Sequence, residues 1–176
     1  TSVSTDAPPM PLRADIRKFI RKAKEHGRVL VAYAGSLGIA NAIDNLINAA
    51  KILDSTKYSF VIVGSGHEEL RLSKRLQDES ISNVRIFPPI LQSQVALLLR
   101  SADIGYLGAP KFPLYKFGVS QNKLTDYMLN CLPVLNATEA GNNLIDEVKC
   151  GFTIVPENAQ ILADTLIRFT DLDDRD

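Results

Sequence analysis

The feature that most constrains this chain is a repeated alternation of two local patterns. Short runs that are apolar at nearly every position, over 28–34, 58–63, 83–87, 103–107, 133–136 and 152–155, are each followed by a stretch with apolar residues at helical spacing. A strand with no polar face has no side to turn to water. It is therefore buried on both faces, the condition of a parallel sheet covered by crossover helices. The expected fold class is α/β: a doubly wound sheet of about six parallel strands with helices on both faces and ligands at the carboxyl ends of the strands.

The helices between these runs are marked by their buried faces. Leu12, Ile16, Phe19, Ile20 and Ala23 make the first amphipathic stripe. Asn41 reads as the cap of a second, carried on Ile43, Leu46, Ile47, Ala50 and Leu53. Further helices are expected over 67–79, over about 93–100 and near 142–149, the last stopped by a left-handed Gly151. A final helix is capped by Asn158 and packs through Ile161, Leu162, Thr165, Leu166 and Phe169. Residues 1–11, with Pro8, Pro9 and Pro11, read as a disordered leader or inter-domain linker. Residues 12–170 read as one domain, and the acidic tail 171–176 is expected to fray.

Charge narrows the partners. Twenty basic and twenty acidic residues cancel, so the broad basic surface of a nucleic-acid-binding protein is missing. No run of apolar residues approaches membrane-spanning length. The first helix places Arg13, Arg17, Lys18, Arg21, Lys22 and Lys24 against Asp15 and Glu25. That face is either solvated or a contact for anionic lipid headgroups or a neighbouring domain. Cys131 and Cys150 are too far apart for a C-x-x-C pair and read as buried thiols of a reducing compartment. His26 and His67 have no clustered partners, so no metal site is expected.

Function points to residues 115–133. Ser120 can cap a helix there, with Leu124, Tyr127, Met128 and Cys131 on its buried face and Asn122, Lys123 and Asp126 on a polar stripe. Between Ile104 and Thr125 there is no acid, whereas Lys111, Lys116 and Lys123 are present. A helix start with unpaired N–H groups and a lysine in its first turn suits a diphosphate. The Asp126 carboxylate one turn deeper can accept ribose hydroxyls.

Two glycine turns follow the first two strands. Gly64-Ser65-Gly66 leads at once into Glu68 and Glu69, which repel phosphate, so it reads as a structural bend. Gly35-Ser36-Leu37-Gly38 opens a stretch without charge through Ile43 and reads as the ligand-facing loop. A nicotinamide cofactor is disfavoured: the first turn is G-x-x-G rather than G-x-G-x-x-G, and no acid ends the second strand. The chain also lacks a G-x-S-x-G elbow and a Walker loop.

Four segments together resemble one family, the GT-B retaining glycosyltransferases of polysaccharide and lipid-linked sugar transfer. They are Y-A-G-S-L-G-I-A-N-A-I-D-N-L-I-N-A-A, F-V-I-V-G-S-G-H-E-E-L, N-V-R-I-F-P-P-I-L-Q-S-Q-V-A-L-L-L-R-S-A-D-I-G and F-G-V-S-Q-N-K-L-T-D-Y-M-L-N-C-L-P-V. The likeness runs in unbroken order over 28–170. It implies the Rossmann-like, nucleotide-sugar-binding C-terminal domain of such an enzyme, with an acceptor domain outside this chain. By position, Gly35, Ser36 and Gly38 would lie over the donor diphosphate, and Ile86, Phe87 and Pro88 would face the base. Val119, Ser120, Asn122 and Lys123 would meet phosphates or sugar, and Asp126 the ribose.

The pattern departs from its relatives at three points. Gly118 stands where the first glutamate of the E-x7-E pair is usual, and Asp126 replaces the second. The lysine common shortly after the glycine turn is absent, since Ile39 and Ala42 occupy that stretch, which leaves more leaving-group charge to Lys123. The resemblance implies a cytoplasmic enzyme that needs no cofactor or metal and acts on a glycan or lipid-linked acceptor, with peripheral contact at the inner membrane face. A sugar-nucleotide epimerase, a phosphorylase or a non-catalytic nucleotide-binding module are the alternatives.

Overall fold

The structure is a computed structural model that describes residues 10–113, 122–139 and 144–173. Most of the leader, Val119 and Ser120, the first residues of the 142–149 helix, and 174–176 lie outside the described residues. Six parallel strands form one sheet in the order β3-β2-β1-β4-β5-β6. They are β1 (Val29–Ala34), β2 (Tyr58–Val63), β3 (Val84–Phe87), β4 (Ile104–Gly108), β5 (Val134–Ala137) and β6 (Gly151–Thr153). The helices between and around them are α1 (Ala14–Glu25), α2 (Ile43–Ile52), α3 (Glu69–Asp78), α4 (Gln92–Ser101), α5 (Asn122–Leu129), α6 (Leu144–Val148) and α7 (Ala159–Asp173).

The apolar strands divide their side chains between two cores at the two-residue period of a pleated strand. Val31 and Tyr33 of β1, with Phe60 and Ile62 of β2, join Leu46 and Ile47 of α2, Leu72 of α3 and Leu162 of α7 on one face. Leu30, Ala32, Val61 and Val63 point the other way, against Ile16 and Ile20 of α1, Leu98 and Leu99 of α4, Leu124 and Tyr127 of α5 and Ile145 of α6. Two cores on one sheet explain why no strand alternates with polar residues. The doubly wound expectation holds.

Three local expectations do not. The buried face of α5 stops at Tyr127: the helix ends at Leu129, and Cys131 adopts a left-handed φ of 52°. The Cys131 and Leu132 amides donate back to the Met128 and Tyr127 carbonyls, so Leu132 enters the core. Cys131 is left exposed and Cys150 half-buried, so neither is the buried thiol expected from composition. Gly151 does not end α6. Lys149 takes the left-handed place at φ 54°, and Gly151 starts β6, where a Cβ would overlap the Val134 carbonyl. Helix α7 extends through residues 171–173 of the tail. The Asn158 cap, by contrast, is present, its Oδ1 accepting the Ile161 amide at 3.0 Å.

Gly64 has φ +155°, and a Cβ there would overlap the carbonyl oxygen of Gly35. Gly64→Ala should therefore cost at least about 2 kcal/mol in urea unfolding, from backbone strain and overlap together. An unchanged unfolding midpoint would show that the β1 and β2 turns are not held together as described.

Candidate functional site

The order of the strands sets the location. The chain builds outward from β1 to β3, then returns to add β4 on the other side of β1. Between β1 and β4 the connections leave in opposite directions, so the carboxyl ends of those two strands are the topological switch point where open α/β sheets bind their ligands. The glycine turn follows β1 there, and α5 is the next described helix after β4.

The two glycine turns are one built unit. The Gly35 amide donates to the Val63 carbonyl at 2.9 Å, Leu37 to Ser65 at 2.8 Å, and Glu68 to Leu37 at 3.1 Å. A Cβ at Gly66 would overlap the backbone of Leu37, just as one at Gly64 would overlap Gly35. The second turn is thus a buttress for the first. The first turn rests on it and presents Ser36 outward, while Leu37 is fully buried. A single 3-10 turn (Ile39–Asn41) then leads to Ala42 at φ 45°, where α2 begins.

Three buried tyrosines hold this unit from below. Tyr33 Oη donates to the Ser36 carbonyl at 2.6 Å, Tyr106 Oη to the Ala42 carbonyl at 3.0 Å, and Tyr127 Oη to the Tyr106 carbonyl at 2.9 Å. Burial raises all three phenol pKa values, so the hydroxyls stay protonated donors. The Tyr127 ring packs where a Cβ on Gly105 would stand, which seats α5 directly on β4. Loop and helix are therefore tied to the same strand.

That seating delivers Lys123. Its Cε occupies the space a Gly35 side chain would fill. Its Nζ donates to Asn41 Oδ1 at 2.9 Å and lies 5.4 Å from the centroid of the Tyr33 ring. Asn41 was expected to cap α2. The structure gives no side-chain cap there, because Ala42 at left-handed φ turns the helix start away and frees the Asn41 amide to hold the lysine. No ion pair of Lys123 with a carboxylate occurs among the described residues, and desolvation lowers its pKa.

Gly35, Ser36, Gly38 and Lys123 thus come together. Asn122 starts α5, and Asp126, half-buried one turn on, follows Lys123 along it. Ile86, Phe87 and Pro88 sit at the same edge of the sheet, two strands away. The Phe87 carbonyl accepts the Gly64 amide at 3.0 Å, while its ring turns inward against Phe19, leaving Pro88 exposed. Val119 and Ser120 lie outside the described residues. Sequence reasoning missed Tyr33, Tyr106 and the true role of Asn41. Only the tyrosine directly before A-G-S offered a local hint. On the α2 side of the turn, a cleft of about 260 Å³ is lined by Asp44, Asn45, Glu68 and Arg71. Its arginine is already paired with Asp44 and Glu68, so it offers no uncompensated charge.

The sequence pattern of the family described as glycosyl transferases, group 1, matches residues 15–176. The chain belongs to this family. A colanic acid biosynthesis glycosyl transferase named in Escherichia coli K12, WcaI, is 37% identical over 76 residues, 42% of this chain and 18% of that protein. Among solved structures, WaaG, a glycosyltransferase of lipopolysaccharide biosynthesis, superposes with TM-score 0.67 at 20% identity over 91% of this chain and 45% of its own. Anabaena HepE with UDP-glucose gives 0.67 at 19%, over 93% and 44%. The C-terminal domain of a group 1 protein, LpcC, from Francisella tularensis gives 0.69 at 15%, over 93% and 86%. The chain spans less than half the length of WcaI, WaaG and HepE. Its fold is that of the C-terminal half of a GT-B glycosyltransferase.

In this group 1 domain the desolvated ammonium opposes folding at neutral pH, because its charged form is favoured more in the unfolded chain. Lys123→Met should therefore keep or raise the melting temperature. A fall of more than about 4 °C, roughly 1 kcal/mol or more for a domain of this size, would mean that the Asn41 bond and the Tyr33 ring outweigh the burial cost.

Proposed function

We propose that this domain binds the nucleoside-diphosphate sugar of a retaining glycosyltransferase that acts on a polysaccharide, lipopolysaccharide or lipid-linked acceptor. The observation that carries the reading is the half-buried ammonium of Lys123, laid against Gly35 at the switch point with no carboxylate ion-paired to it among the described residues. A partly desolvated cation with no ion-paired carboxylate beside it favours an incoming anion. The glycine turn lets phosphoryl oxygens approach backbone closely, and the start of α5 adds N–H groups of the same polarity. HepE, which shares the fold, has been solved in complex with UDP-glucose, a ligand of this kind.

On this reading Lys123 stabilises the diphosphate as the bond from the anomeric carbon to its oxygen breaks. The acceptor hydroxyl oxygen bonds to the same carbon, and its proton leaves with the diphosphate. Positioning and charge stabilisation supply the rate, with no glycosyl-enzyme intermediate and no metal invoked. Asp126 accepts the ribose hydroxyls. The acceptor reaches the cleft on a further domain, at or near the inner face of a membrane.

A thermal-shift screen against UDP, GDP, ADP and their sugars tests this directly. At one hundred times Kd a ligand stabilises by about 2.7 kcal/mol, which moves Tm by roughly 5–10 °C in a domain of this size. No shift with any of them sinks the reading. In the full enzyme, Lys123→Ala should lower kcat about a hundredfold, and normal turnover at saturating donor would remove that role. Asp126→Asn should weaken donor binding by about 1–3 kcal/mol, measured by calorimetric titration.

A further inference from the structure

We infer that His67 is a second diphosphate-binding group of this site. The inference rests on the nucleotide-sugar reading above. His67 immediately follows the buttressing turn Gly64-Ser65-Gly66 and belongs to no expected site. Its imidazole nevertheless lies over the ligand-facing turn. Cε1 comes 3.1 Å and Nδ1 3.7 Å from where a Cβ on Gly38 would stand, and Ser36 Oγ is 3.8 Å from the same point. Any side chain at Gly38 would press on this ring, so the glycine makes room for the histidine as well as for a ligand. The ring is exposed, while the backbone beside it is pinned by the bond from the Glu68 amide to the Leu37 carbonyl.

The four-residue turn is thus flanked at both ends. Lys123 covers Gly35 from α5, and His67 covers Gly38 from near the end of the β2–α3 connection. A diphosphate carries more than one negative charge, and Lys123 supplies one cation. An imidazole keeps an N–H donor in either protonation state, and that donor can bond a phosphoryl oxygen resting on the turn. The nearest acid in sequence, Glu68, is engaged by Arg71, which draws its carboxylate away along α3.

The test is calorimetric titration of this chain with UDP, GDP and ADP, each beside its own nucleoside. His67→Ala and His67→Phe are compared with the unaltered protein. The second variant keeps a ring and loses the N–H. Both should weaken the tightest nucleoside diphosphate about tenfold, the usual loss of a charge-assisted hydrogen bond, and leave the nucleoside within about twofold. Because the side chain is exposed, the melting temperature without ligand should hold in both, which separates binding from folding. Unaltered diphosphate affinity in His67→Ala overturns the inference alone, as does wild-type affinity in His67→Phe or an equal loss for the nucleoside. If the unaltered protein binds no nucleoside diphosphate, the nucleotide reading falls and this inference with it.

Discussion

Backbone packed on backbone, at the contact between the turns after β1 and β2, is the constraint on which the site depends. Where two main chains touch there is no space for even one Cβ, so Gly64 and Gly66 stand where they do for steric reasons. The contact is also polar, since three amides of the two turns find their acceptors across it or in β2. That matters because an unpaired backbone group buried beneath a ligand loop would cost about as much as a lost hydrogen bond. The loop is consequently ordered before any ligand arrives. A preformed loop spares the ligand the entropy of organising it.

Lys123 shows the opposite economy. Folding places its ammonium in a half-buried position where desolvation works against the charge, and the compensation found among the described residues is an amide oxygen and an aromatic face. Neither neutralises it. A carboxylate at Asn41 would make a stronger partner, yet it would neutralise the ammonium. The neutral amide holds the lysine in place and leaves its charge available. The tyrosines follow the same logic: each lends a hydroxyl to a main-chain carbonyl and none adds a charge.

How much of this could be read in advance follows from the range of each interaction. Strands apolar at every position need nothing beyond local sequence to declare a sheet covered on both faces, and both cores bear that out. The turn after β1 was legible as a turn because glycine spacing is local too. The bond between Lys123 and Asn41 spans 82 positions and exists only because the ring of Tyr127 seats α5 over Gly105, a fact of packing that no window of sequence contains. Asn41 accordingly read as a cap, the commonest use of an asparagine before an apolar stripe. Chain reversals were misplaced for a related reason. Glycine was expected to supply the left-handed residue near the end of α6, but Lys149 supplies it, and Gly151 is reserved for a strand edge pressed onto Val134.

The half-buried state of Lys123 also bears on where binding energy is felt. At about 4 Å, two unit charges attract by roughly 1 kcal/mol in water but by roughly 4 kcal/mol at the effective dielectric of a protein surface region. Lys123 is only half-buried, so water still reaches it. On the proposed reading, this domain alone captures a diphosphate with most of that attraction screened. Whatever closes over the site would remove the water and strengthen each contact. The gain would fall on the charge that develops as the sugar leaves, and therefore on the transition state more than on the resting complex. On that reading, a preformed loop and a lysine with no carboxylate ion-paired to it among the described residues are parts of one device, in which exclusion of solvent sets the strength of the interaction.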